Sequence, residues 1–112
     1  MLFRSDSKVM DGTNFDVIWM TNISHGVFTY NVRTGAITFK HSKAKLTDFR
    51  YMRAMDRDGY IYTMPGYEYR VPSITTYAVR KVNAETGVGV DITAIPAVIN
   101  GLGAAVYPYY LP

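Results

Sequence analysis

The residues able to carry chemistry are few. There is no cysteine, so a thiolate zinc site, a disulfide framework and a cysteine nucleophile are all excluded. Two histidines occur, His25 between Ser24 and Gly26 and His41 at the end of an alternating run, and neither has a second ligand at metal spacing. Asp56-Arg57-Asp58-Gly59 opens like a calcium loop, but Tyr60 takes the third ligand position and Glu68 falls one residue late. Aspartate and glycine at that spacing read instead as a tight turn. Gly87-Val88-Gly89 and Gly101-Leu102-Gly103 lack the following helix that a phosphate loop needs. Gly89 reads as a bulge or a close backbone approach. No serine stands in a nucleophile elbow. The expectation is a protein with no catalytic residue, no cofactor, no metal and no small-molecule substrate, and not an enzyme.

Two groupings remain. The first is basic: Lys40, Lys43, Lys45, Arg50, Arg53 and Arg57 stand against Asp48, Asp56 and Asp58, so residues 40–58 hold the whole net charge of +3. Cations interleaved with Phe49 and Tyr51 are the ingredients of a single-stranded nucleic-acid surface, a charged groove with stacking rings. They fit a solvated face or a contact to an acidic partner equally well, because on a helix Arg50, Arg53 and Arg57 would form one stripe. The second grouping is aromatic. Ten of 112 residues are tyrosine, a side chain with an apolar ring and a polar tip that suits surfaces buried between partners. Sheets favour tyrosine too, which accounts for part of the excess. A carbohydrate-binding face is permitted by the rings, with nothing in the residues to favour it.

The elements that must position these groups are mostly strands. With 48% apolar and 19% charged residues, the chain makes one domain, 1–112, with a core of its own. Val27–Ser42 alternates on both sides of Thr34-Gly35. A two-residue turn there pairs Val32 with Ile37, Tyr30 with Phe39 and Phe28 with His41 on one apolar face. If that face is the core, Tyr30→Ala or Phe39→Ala costs about 3–5 kcal/mol. Thr13–Asn22 reads as a strand with Phe15, Val17 and Trp19 on one face, and Ile18 and Met20 on the other suggest cover on both sides. Residues 46–55 fit a helix, with Leu46, Phe49, Met52 and Met55 three apart and Thr47 as cap, slightly better than a strand. Ile74–Val82 and Val88–Ile95 form a second hairpin around Asn83–Gly87, and no internal repeat is expected. The prolines of Tyr107-Pro108-Tyr109-Tyr110-Leu111-Pro112 exclude it from the middle of a sheet, so 104–112 reads as an edge strand or an extended C-terminal arm. The architecture expected is mainly β: an antiparallel barrel or sandwich with one or two short helices.

Extended, aromatic, proline-broken segments are a liability on a free monomer and usually mark a contact surface. Tyr60, Tyr62, Tyr67, Tyr69, Tyr107, Tyr109, Tyr110 and Leu111 are therefore the expected protein-interface residues. A small, cysteine-free, tyrosine-rich β-protein with extended arms is similar in type to the minor structural proteins of tailed bacteriophages, the head–tail connector, tail and capsid-cementing subunits. The similarity implies a homo-oligomeric virion component whose partners are its own copies and other structural proteins; it carries no residue across. The start, Met1–Asp6, lacks a signal peptide's pattern, and no apolar run reaches a membrane span. Synthesis in the host cytoplasm without membrane contact is the matching expectation, and a cytoplasmic single-strand binder is the alternative.

Overall fold

A computed structural model describes residues 7–63 and 76–96 of the chain. They form two four-stranded antiparallel meanders. The first runs β1 (Ser7–Met10), β2 (Val17–Asn22), β3 (Gly26–Asn31) and β4 (Ile37–His41), and the second β5 (Met52–Met55), β6 (Tyr60–Thr63), β7 (Thr76–Asn83) and β8 (Gly89–Pro96). A 3-10 turn at Lys43–Lys45 and a one-turn helix α1 (Leu46–Phe49) join them. Among the described residues the sheets do not hydrogen-bond into a closed barrel, and the arrangement is sandwich-like. β1 lies beside β5, where the Met52 N–H donates to Ser7 Oγ at 2.9 Å. At the other side His41 Nε2 meets the Ala84 carbonyl at 2.7 Å.

The core between the sheets is built from Val9, Trp19 and Val27 of the first, Leu46 and Phe49 of α1, and Met52, Met55, Ile61 and Val82 of the second. Phe49 is its hub: the Trp19 ring lies parallel to it at 6.5 Å, and the His41 ring stacks on it at 4.9 Å. Residues 46–55 are thus neither helix nor strand throughout. The threefold spacing of Leu46, Phe49, Met52 and Met55 does record burial, but the backbone turns extended at Arg50 and left-handed at Tyr51 (φ 55°). Met52 onward is strand.

The first hairpin corrects the expectation in two ways. Tyr30 pairs with Ile37 and Phe28 with Phe39, a register two residues away from a Thr34-Gly35 turn. Instead a four-residue loop closes with Gly35 N–H on the Asn31 carbonyl and Asn31 N–H on that of Ala36. The Asn31 side chain accepts from the N–H groups of Arg33 and Thr34, and Gly35 takes φ 80°. The aromatic face also points outward. Phe39 is 58% exposed and Ile37 62%, with Phe28 and Tyr30 half-buried, whereas Val27 on the opposite face is fully buried. A bulge at Val27/Phe28 puts His41 on the inner side with Val27. Ile18 and Met20 are likewise half-buried on the outer face, and strand β2 starts at Val17, leaving the expected Phe15 in the preceding turn. The second hairpin falls at Thr76–Pro96, much as its pattern indicates. Gly89 approaches Arg80 closely: the Arg80 Nη2 donates to its carbonyl at 2.9 Å. The arm 104–112 lies outside the described residues.

The two meanders repeat one design, which was not anticipated. Each first hairpin follows Met-Asp: Asp11 N–H donates to the Val17 carbonyl and Asp56 N–H to that of Tyr60, both at 2.8 Å. Each last hairpin turns on Asn-x-x-Thr-Gly, residues 31–35 and 83–87. Asn83 repeats every bond of Asn31, capping Glu85 and Thr86, and Gly87 takes φ 74°. The cross-strand rows match as well. Val9–Trp19–Thr29–Thr38 corresponds to Ala54–Tyr62–Lys81–Val90, an aromatic row. Met10–Ile18–Tyr30–Ile37 corresponds to Met55–Ile61–Val82–Gly89, a methionine row. Yet the rows face opposite ways. In the first sheet the aromatic row begins inside, with Val9 and Trp19 buried; in the second the methionine row is inside, with Met55, Ile61 and Val82 buried.

This polarity predicts a sharp contrast in equilibrium unfolding. Phe49→Ala is expected to cost about 3–5 kcal/mol and Phe39→Ala no more than about 1 kcal/mol. Equal losses in urea titrations of the two variants would contradict the assignment of inner and outer faces.

Candidate interaction surfaces

Two carboxylates organise the turns beside the outer surfaces. Asp11, itself buried, accepts from the indole N–H of Trp19 at 2.7 Å and from the backbone N–H groups of Thr13 (2.7 Å) and Asn14 (3.2 Å). Asp56 takes the equivalent set: the N–H groups of Asp58 (2.9 Å) and Tyr60 (3.0 Å) and the hydroxyl of Tyr62 (2.8 Å). The 56–59 segment is therefore an aspartate-capped turn, with its carboxylate engaged by the protein's own donors. Gly12 lets the two turns meet, because a Cβ there would overlap the carbonyl oxygens of Met55 and Asp56. Among the described residues no group of three or more His, Asp or Glu is placed to hold a metal ion.

Of the expected interface residues, Tyr60 and Tyr62 are described, and they share the outward face of the second sheet. Strand alternation sends Ile61 inward between them, and cross-strand pairing sets Tyr62 beside Lys81 and Lys81 beside Val90. The Lys81 ammonium stands 4.4 Å from the centre of the Tyr60 ring. Exposed Val88, Val90 and Ile92 continue this face, and Tyr60, Lys81, Asn83, Thr86, Val88 and Val90 line a shallow hollow on it. Tyr67, Tyr69, Tyr107, Tyr109, Tyr110 and Leu111 lie outside the described residues. What the sequence reading missed is the apolar outward face of the first sheet: Met10, Ile18, Met20, Phe28, Tyr30, Ile37 and Phe39. Its alternation was visible; its outward direction was not.

The basic segment does not form one stripe. Lys40 reaches inward, 5.2 Å above the Trp19 ring and 3.3 Å from Glu85. Lys43 is exposed on the 3-10 turn, and the Lys45 side chain lies against Gly87. Arg50 follows α1, Arg53 is on β5 with its guanidinium 5.9 Å from the Tyr51 ring, and Arg57 is exposed at the β5–β6 turn. The helix that would have aligned Arg50, Arg53 and Arg57 ends at Phe49. One further cation, Arg80, pairs with Asp48 at 3.0 Å and so ties β7 to α1.

No protein-family model matches this chain, and neither the curated proteins nor the solved structures contain a significant match. Among the described residues no helix is long and apolar enough to cross a membrane.

The Asp56–Tyr62 pair carries a pH signature. Burial pushes the Tyr62 hydroxyl up, and its hydrogen bond to Asp56 and the negative charge there push it further, to about 12. Burial opposes ionisation of Asp56, but donors from Tyr60, Tyr62 and Asp58 outweigh it and hold the carboxyl below its ordinary value. A tyrosine whose folded pKa is raised contributes stability that is intact below its ordinary value of 10.0 and is lost as pH climbs to about 12. Urea midpoints should therefore fall across that window, and Tyr62→Phe should remove part of the fall. Identical alkaline profiles for the two proteins would show that the pair is not formed.

Proposed function

We propose that the protein is a structural subunit of a larger assembly: a minor virion protein of a tailed bacteriophage, of head–tail connector, tail or capsid-cementing type, made in the host cytoplasm. Its partners on this reading are its own copies and other structural proteins, and it docks through tyrosine-rich extended segments. The observation that carries the reading is that both sheets leave an apolar, aromatic face outward, with Met10, Ile37, Phe39, Val88 and Val90 each more than half exposed. Free monomers rarely keep two such patches uncovered. Segments 64–72 and 104–112 add Tyr67, Tyr69, Tyr107, Tyr109, Tyr110 and Leu111, and an extended arm gains backbone hydrogen bonds when it adds to a neighbour's sheet edge. Repeated around a ring or lattice, such contacts reinforce one another through effective concentration.

One observation favours a second reading, a single-stranded nucleic-acid binder. The Lys81–Tyr60 pair on the second sheet and the Arg53–Tyr51 pair at the start of β5 set cations beside rings, as strand binding by stacking and charge requires.

Light scattering on the full chain and on a chain lacking residues 104–112 tests the first reading. The full chain is expected to form particles larger than a monomer that persist in high salt, and the truncated chain to stay folded and monomeric. Normal assembly of the truncated chain would remove the arm from the account. A full chain that is monomeric at every salt concentration, and binds a single-stranded oligonucleotide with affinity falling steeply in salt, would replace the first reading by the second.

A further inference from the structure

Both outward faces are apolar and carry rings, but they come from opposite rows of the repeated design, and the interior shows how those rows fit together. Inside the molecule, the aromatic row of the first sheet, led by Val9 and Trp19, faces the methionine row of the second, Met55–Ile61–Val82. The faces left outside are the converse pair: the methionine row of the first sheet and the aromatic row of the second. The internal layering is therefore unfinished at both ends. One end offers the kind of face that the other end's partner row already meets within the chain.

From this we infer that copies of the chain stack head to tail. The outward face of the second sheet (Tyr60, Tyr62, Lys81, Val90) in one copy would lie on the outward face of the first sheet (Ile37, Phe39 and their neighbours) in the next. The contact is heterologous, so it propagates into a ring if the rotation closes and into a filament if it does not. It rests on the self-assembly part of the reading above and adds a second contact to the arm; both contacts are needed, so losing the arm or either face leaves the chain unassembled.

Area and charge both favour this occupant. Four strands at about 4.8 Å spacing make each face roughly 15–20 Å wide. Apolar surface on the order of 500 Å² a side would bring the contact to about 1,000 Å², the lower limit for a specific interface, which repetition around an assembly reinforces. Lys81 stands on β7, an inner strand of its sheet. Pairing that face with itself across a two-fold axis would oppose two ammonium groups within a desolvated contact. The face of the first sheet supplies Phe28, Tyr30 and Phe39 instead, with its one lysine, Lys8, on the edge strand β1. An ammonium set against rings is attracted rather than repelled.

A complementation experiment on the full chain tests the stacking. Phe39→Lys blocks the first face and Val90→Lys the second. Both positions are more than half exposed (58% and 57%), so both variants should melt within a few degrees of the parent. In sedimentation velocity, each variant alone is expected to need at least about tenfold more protein to associate, because self-stacking must bury the new charge. Mixed one to one, they should form a dimer that grows no further, since each still offers one intact face. A monomeric parent protein, or a variant that assembles like the parent, would overturn the inference. So would a Val90→Lys protein that forms closed dimers by itself, because the first face would then pair with its own copy. If losing residues 104–112 abolishes assembly while both face variants assemble normally, the stacking fails and the arm reading stands. If that truncation makes a monomeric parent associate, the arm covers its own chain's face and the stacking is likewise overturned.

Discussion

Much of the molecule follows from where Trp19 can go. It lies on β2, an inner strand of the first sheet, where its ring is 2% exposed, parallel to Phe49, and its N–H meets the buried Asp11 carboxylate. A hydrogen bond to a charged acceptor is worth about 1.5–3 kcal/mol, and leaving such a carboxylate buried without its donor costs more. Seating Trp19 inside decides most of the sheet, because side chains alternate along a strand except at the bulge beside Val27. Ile18 and Met20 must point out, and Phe28, Tyr30, Ile37 and Phe39 go with them through cross-strand pairing. The opposite choice would bury more aromatic carbon, but it would also draw Lys8, which pairs across from Met20, under the second sheet and expose the indole. An unpaired buried ammonium is too costly for that exchange. In the second sheet Lys81 imposes the same choice from the other side, keeping Tyr60 and Tyr62 outward while Ile61 and Val82 are fully buried.

The repeated design explains how so short a chain builds two layers. Each meander carries its own turn chemistry: an aspartate that caps the first hairpin and takes a polar tip from the next strand, and an asparagine that caps the last. Local hydrogen bonds thus set the registers within each layer. The layers then differ only in which face is apolar enough, and free enough of lysine, to be buried. Two sheets oriented alike, instead of mirrored, leave two unlike faces exposed. That asymmetry separates a surface suited to open-ended stacking from one suited to closed pairing.

The legible and illegible parts of this fold divide along physical lines. Alternation told that Phe28, Tyr30, Ile37 and Phe39 share a face, but not that the bulge at Val27/Phe28 turns His41 away from them. It could not tell inside from outside, since an apolar face is as consistent with a partner as with a core. The register error in the first hairpin came from reading Thr34-Gly35 as a two-residue turn. The same Asn-x-x-Thr-Gly at 83–87 was read as a longer loop, and comparing the two would have corrected it. Strand β1 is four residues, Ser7–Met10, too short to carry a pattern, and it is specified by its pairing to β2. The basic segment looked continuous in the chain but disperses in space, because Lys40 turns inward to Trp19 and Glu85 while the break at Tyr51 puts Arg53 on a strand.

The most direct test of the two-faced sheets is a methionine oxidation footprint read by mass spectrometry, with mild peroxide on dilute folded protein. Met10 stands on the outward methionine row at 55% exposure, and its counterpart Met55, with Met52, is 4% exposed inside. Oxidation is expected at Met10 well before Met52 and Met55, since exposure governs access of the oxidant to the thioether. Met52 and Met55 oxidised as readily as Met10 while the protein stays folded would mean that the layers are turned the other way.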